Sequence, residues 1–348
     1  MPAAKLRVRG RRSTLGGMKH LLLSLAATFF ATAAPAAEIL NVSYDVAREL
    51  FDAVNPAFQQ AWQAQGGEKV TVRQSHGGSS KQARSVLDGL PADIVTLNQV
   101  TDVQMLERAG YIGADWQNRL PNHASPYYSL PIFLVRAGNP QQIRDWNDLA
   151  RANVKVVFPN PKTSGNGRYT YLAAYAYALQ RFNRDPAQAK AFVGKVLANV
   201  PVFDTGGRGA TTTFVERGIG DVLVTFESEV NSIRQEYGKG NLQIVVPSLS
   251  VRADFPIAVV DRNVDKKGTR KIATAYAEFL FTPQGQELIA RHYNRVHDAG
   301  VVRKYTKQFP EVKLVSVDEV FGGWDRVTLE HFKDGGILDQ ALASAPAR

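Results

Sequence analysis

The chain has 348 residues and no cysteine, which excludes disulfides, thiolate metal sites and a cysteine-linked lipid anchor. A hydrophobic fraction of 44% beside 21% charged residues is that of a water-soluble globular protein with length for two lobes. The net charge of +10 overstates its basicity: Lys5, Arg7, Arg9, Arg11, Arg12 and Lys19 fall in the first 37 positions with no acidic residue, leaving 36 basic against 32 acidic residues, or +4, and no case for a nucleic-acid partner.

The first element is a targeting segment. Lys19 and His20 precede an apolar run over 21–34, and Ala34-Pro35-Ala36-Ala37 follows as a small-residue cleavage site. This pattern predicts a secretory signal peptide over 1–37, with Met18 as its start. The run of 14 residues is too short to span a bilayer. Arg11-Arg12 hints at a twin-arginine signal, but the residues after the pair fit it poorly. The expected mature protein is free in the periplasm.

From residue 38 to about 330, apolar runs alternate with amphipathic stretches. The pattern predicts strands over 39–42, 70–73, 94–96, 131–135, 154–158, 222–226, 244–246 and 257–260. It predicts helices over 46–64, 80–88, 102–109, 167–182, 186–198, 210–217, 228–237, 268–281 and 283–294. Strand alternating with helix argues for an α/β fold with largely parallel sheets. Thr282 and Pro283 suit an N-cap and a first helical position.

Three connections stand out. In 70–87, 154–182 and 200–218 a strand runs into a small, Gly-rich turn and then a helix. The first backbone N–H groups of a helix have no intrahelical acceptor, and the aligned peptide dipoles make that end attractive to anions. Glycine lets a ligand approach the backbone. Ser79 with Gln82 reads as a capping box. One such turn is an ordinary connection; three in one chain favour an anion site. None is a P-loop or a dinucleotide fingerprint.

"NVSYDVARELF" (41–51), "QSHGGSSKQA" (74–83), "NPKTSGNGRYTYLAA" (160–174), "FDTGGRGATTTFVERGIGDVLVTFESEVN" (203–231) and "DEVFGGW" (318–324) resemble the periplasmic sulfate/thiosulfate-binding proteins of ABC transporters. The resemblance covers nearly all of 38–345. It implies a type II periplasmic binding protein: two α/β lobes joined by crossover strands, with the ligand in the cleft between them. The implied lobes are 38–127 with 256–348, and 128–255, with crossovers near 128–135 and 247–259. The implied function is capture of thiosulfate or sulfate by a monomer and its delivery to an ABC permease, with no cofactor and no metal.

The resemblance also implies a ligand set. Asp45, Ser79, Gly165 and Gly207 offer backbone N–H groups, and Ser164 its hydroxyl. Asn166 keeps a backbone donor at a place that glycine can take in relatives. The sulfate binders' tryptophan indole corresponds to Phe226, which cannot donate. A lost bond to a charged group costs roughly 1.5–3 kcal/mol, so sulfate is disfavoured relative to thiosulfate with its larger terminal sulfur. "VFDTGGRGATTTF" and "FESEVN" look closer to the thiosulfate branch. A site made only of donors disfavours protonated phosphate, although an Asp45 carboxylate facing the ligand would accept that proton. His76 and Arg208 are candidates for charge behind the donors.

Rival expectations are a binding protein for phosphate or molybdate, and a secreted serine hydrolase built from Ser79, His76 and Asp45. The hydrolase lacks a Gly-x-Ser-x-Gly elbow after a strand. The scattered histidines, including His292 and His297 five apart, make a metal site a weak reading. The tyrosines of "YTYLAAYAYAL" and the tryptophans are expected to pack in the core.

Overall fold

The computed structural model describes residues 37–238 and 240–344, so the expected signal segment lies outside the described residues apart from Ala37. Thirteen strands are present among them: β1 (Ala37–Tyr44), β2 (Val70–Gly77), β3 (Ile94–Thr96), β4 (Tyr127–Ser129), β5 (Pro131–Arg136), β6 (Val156–Val157), β7 (Val222–Phe226), β8 (Leu242–Val245), β9 (Leu249–Val251), β10 (Ala253–Phe255), β11 (Ile257–Val259), β12 (Arg295–Val296) and β13 (Lys313–Val315).

Two four-stranded sheets carry the fold. The first has the order β11-β3-β1-β2 and the second β6-β7-β5-β8. In the first, β1 runs parallel to β2 (Ile39 opposite Val72) and to β3 (Val42 opposite Val95), while β11 is antiparallel to β3. In the second, β6 and β7 are parallel, and β5 lies antiparallel to both β7 and β8. The expectation of largely parallel sheets is therefore corrected: both are mixed. The physical reason is that β5 and β11 directly follow the connections between the sheets. They enter from the opposite end, which single-sequence periodicity does not reveal.

Those connections pair with each other. β4 leads into β5 of the second sheet through Leu130, and β10 leads into β11 of the first through Pro256. The two are antiparallel neighbours, with Tyr127 opposite Phe255 and Ser129 opposite Ala253. The tail then returns to the side of the second sheet: β13 pairs with β9 in a separate two-stranded sheet, the helix Ile337–Ala343 packs on the helix Pro186–Ala198, and Lys162 Nζ lies 2.9 Å from Asp339 Oδ1. Residues 313–343 thus depart from the expected grouping of 256–348 with the first sheet.

Local chemistry explains some element boundaries. Thr282 caps the helix Pro283–Arg291 by accepting the Gly285 N–H at 3.1 Å, with Pro283 first in the helix. The capping box expected at Ser79 is absent. Gly78 occupies the N-cap, the Ser79 hydroxyl is taken by Asp102, and Gln82 Nε2 donates to Ser75 Oγ at 3.1 Å. The helix Gly165–Arg181 is buried on nearly every side, and its tyrosines 169, 171, 175 and 177 all pack inside. Trp62, Trp116 and Trp146 are buried as expected, whereas Trp324 is only partly covered and stacks edge-on against Tyr169 at 5.2 Å.

Candidate functional site

The expected donors lie where strands end. Asp45 follows β1, Ser79 opens the helix Ser79–Leu87 after β2, Ser164–Asn166 follow β6, and Phe226 is the last residue of β7. Open α/β sheets present ligands at the carboxyl ends of their parallel strands. The helix predicted over 167–182 begins two residues earlier, so Gly165 and Asn166 form its first turn. Their N–H groups have no intrahelical acceptor. The helix predicted over 210–217 begins at Gly207 and runs into a π-helical turn over 212–216.

Ser164 caps its helix by accepting the Gly167 N–H at 3.4 Å. That bond uses an oxygen lone pair and leaves the hydroxyl hydrogen free to donate elsewhere. Ser79 differs: its Oγ donates to Asp102 Oδ2 at 2.5 Å, and Ser80 Oγ donates to Asp102 Oδ1 at 2.8 Å. The Ser79 hydroxyl is thereby committed within its own half of the molecule, and its backbone N–H is the group left for a ligand.

Residues from both sheets meet here. A methyl added to Gly207 would lie 3.5 Å from Val46 Cγ1, 3.4 Å from Asn166 Nδ2 and 3.3 Å from Glu229 Oε2. A methyl on Gly165 would run into Asn98 Oδ1 and lie 2.8 Å from Gln99 Nε2, in the loop after β3. Arg168 Nη1 donates to Gln99 Oε1 at 2.8 Å, and Arg208 Nη2 lies 3.1 Å from Glu49 Oε1.

The Asp45 side chain points at the 206–208 turn: its Oδ1 accepts the Val46 N–H at 3.1 Å, and its Oδ2 would lie 3.1 Å from a methyl on Gly206. Burial raises the Asp45 pKa, opposed by the main-chain N–H groups of Arg208 and Val46. His76 Nδ1 pairs with Ser43 Oγ at 3.2 Å, and burial, then the charge of Arg48, lowers its pKa. Ser79 and His76 therefore have different partners and do not form a nucleophile–base pair. Phe226 is fully buried, 5.1 Å from the Phe255 ring and 6.0 Å from Tyr169.

The sequence reading missed four groups. Glu229 is buried and accepts from Thr211 Oγ1 at 2.7 Å, from Thr225 Oγ1 and from Asn166 Nδ2 at 3.3 Å. Burial pushes its carboxyl up to about 7, against the lowering effect of the two hydroxyls and with help from Asp45. Asp102, Asn98 and Gln99 sit in or after the loop that follows β3. The available signal was position: "TLNQVTD" is another connection at the end of a parallel strand, but amides replace its glycines. Among the described residues, no group of three or more His, Cys, Asp or Glu side chains is arranged to hold a metal. No helix among them is long and apolar enough to cross a membrane.

Comparisons with known proteins identify the family. The family model of bacterial extracellular solute-binding proteins matches residues 39–293. The thiosulfate-binding protein of Escherichia coli K12 is 53% identical over 94% of this chain and 97% of its own length. The sulfate-binding protein of the same organism is 50% identical over 87% of this chain and 92% of its own. The solved sulfate-binding protein SubI of Mycobacterium tuberculosis H37Rv superposes with a TM-score of 0.77 at 34% identity, covering 84% of this chain and 98% of that one. With its two mixed α/β sheets and paired crossover strands, this chain has the periplasmic binding protein fold and belongs to the bacterial extracellular solute-binding protein family.

Proposed function

We propose that this protein binds thiosulfate and sulfate outside the cytoplasm, in the periplasm, and delivers them as a monomer to an ABC permease for sulfur uptake. The observation that carries this reading is the meeting of helix N-termini from both halves, where Gly207 sits among Val46, Asn166 and Glu229, and Gly165 against Asn98 and Gln99. The proposed donors are the main-chain N–H groups of Asp45, Ser79, Gly165, Asn166 and Gly207 and the Ser164 hydroxyl. Asp45 and Ser79 belong to one lobe and the others to the second. Residues 38–127 with 256 to about 312 make the first lobe, and 128–255 with the tail the second. β4 and β10 serve as the hinge.

Closing on the anion removes its water, so each donor must replace a lost hydrogen bond; bonds to a charged group contribute about 1.5–3 kcal/mol each. Neutral donors match an anion that carries no proton, and phosphate at neutral pH would leave one unpaired. Phe226 supplies a ring face rather than a donor, which favours thiosulfate over sulfate. The test is thermal unfolding of the mature protein with thiosulfate, sulfate, phosphate or molybdate. Selective stabilisation by the two sulfur anions supports the proposal. Stabilisation by phosphate or molybdate alone transfers the site to that anion, and hydrolysis of a simple ester would support the secreted hydrolase instead.

A further inference from the structure

Gln99 is completely buried, and its Nε2 has no hydrogen-bond partner. Its orientation is imposed from outside. Arg168 Nη1 donates to Gln99 Oε1 at 2.8 Å, and Thr101 Oγ1 donates to the same oxygen at 3.3 Å. A guanidinium has no acceptor, so the amide cannot turn over without setting two donors face to face. The oxygen is therefore held toward Arg168 and the NH₂ toward Gly165, where an added methyl would lie 2.8 Å from Nε2.

Two free N–H bonds in a buried site are costly, because each has given up its hydration without gaining an acceptor. They point at the first turn of a 17-residue helix, the end at which an anion is favoured. We propose that the Gln99 side-chain amide is a further donor to the bound anion. It makes up in number for the indole N–H that Phe226 cannot supply. The inference rests on the sulfur-oxyanion reading above. Asn98 reinforces it. Its backbone N–H donates to Ser79 Oγ at 3.3 Å, and its buried Oδ1, also unpartnered, faces Gly165. A half-turn of that amide would present Nδ2 to the same anion.

Gln99→Glu tests the proposal because it keeps the acceptor that Arg168 needs and removes the donor. Calorimetry at pH 8 is expected to show at least a tenfold loss of affinity for both thiosulfate and sulfate, with the unliganded melting temperature maintained. Affinity should recover as the pH falls and the new carboxyl gains a proton it can donate, by more than the wild type gains over the same range, an excess pH dependence that a merely structural defect would not produce. If Gln99→Glu does not fold, Gln99→Met supplies the same test and is expected to lose at least tenfold. Affinity equal to wild type in the variant measured overturns the Gln99 contact alone. Wild-type protein that binds neither anion overturns the functional reading beneath it, and the contact with it.

Discussion

Gly165 packs so closely on Asn98 that a methyl group on its Cα would run into the Asn98 Oδ1. The glycine opens the long buried helix of the second half, and the asparagine follows β3 of the first. An absent side chain therefore lets the two halves approach. Gly165→Ala should hold them apart: thiosulfate affinity should fall tenfold or more, with little change in the unliganded melting temperature. Gly167→Ala is the contrast, because there the methyl would run into the Pro159 carbonyl within the same half. That variant should melt lower even without ligand. Thermal unfolding with and without thiosulfate separates the two outcomes.

Phe226 is the proposed discriminator between the two anions. An indole there regains an N–H donor, so Phe226→Trp should move the preference toward sulfate, by roughly the 1.5–3 kcal/mol of a bond to a charged group if its geometry is met. The ring is enclosed by Phe255 and Tyr169. Overpacking should cost about 1–3 kcal/mol of stability. Calorimetry with both anions checks the first expectation and denaturant unfolding the second. An unchanged ratio of the two affinities would dissociate residue 226 from selectivity.

Glu229 should make binding depend on pH. Burial raises its folded pKa to about 7, above the usual 4.5. Between those values the folded state holds a proton that the unfolded state has released, so stability falls as pH rises through this window and levels off above about 7. A nearby dianion favours the protonated form further. Thiosulfate should therefore bind several-fold more tightly at pH 6 than at pH 8, with proton uptake, and Glu229→Gln should flatten the profile. Calorimetry in two buffers of different ionisation enthalpy measures the uptake directly.

Arg208 and Glu49 bridge the halves at the rim, with side chains 48% and 53% exposed. Such pairs contribute about 0–1 kcal/mol and are screened by salt. Glu49→Gln should weaken anion binding no more than about fivefold at low salt and less at high salt. A larger loss would give this pair a role beyond that of a surface latch.

Asp102 anchors the first turn of the helix Ser79–Leu87 through the hydroxyls of Ser79 and Ser80. Asp102→Ala strands two buried donors, at about 1–3 kcal/mol each. Urea unfolding should show this as a lower midpoint before any anion is added.

The alternation of apolar runs and amphipathic stretches located β1, β2, β3, β5 and β7, because buried strands are dense in Val, Ile and Leu whatever surrounds them. It overextended the strand at 154–158, where only Val156 and Val157 pair. It also placed the starts of the helices at 165 and 207 two or three residues late, since Gly and Asn in a first turn look like loop. Asn98 and Gln99 escaped notice for a related reason: a buried amide pair has no periodicity and no motif. Its meaning comes from what lies across the cleft.

The order of residues alone determined the α/β layering, the three glycine-bearing turns and the absence of thiol chemistry, because apolar periodicity, glycine content and cysteine content are local properties of the chain. The folded molecule decided which turns meet, where the Asp45 carboxylate points, that Glu229 is enclosed and that the tail returns to the side of the second sheet. Those depend on contacts between residues distant in the chain, such as Asp45 with Gly206, Asn166 with Glu229 and Lys162 with Asp339, and no local pattern encodes them.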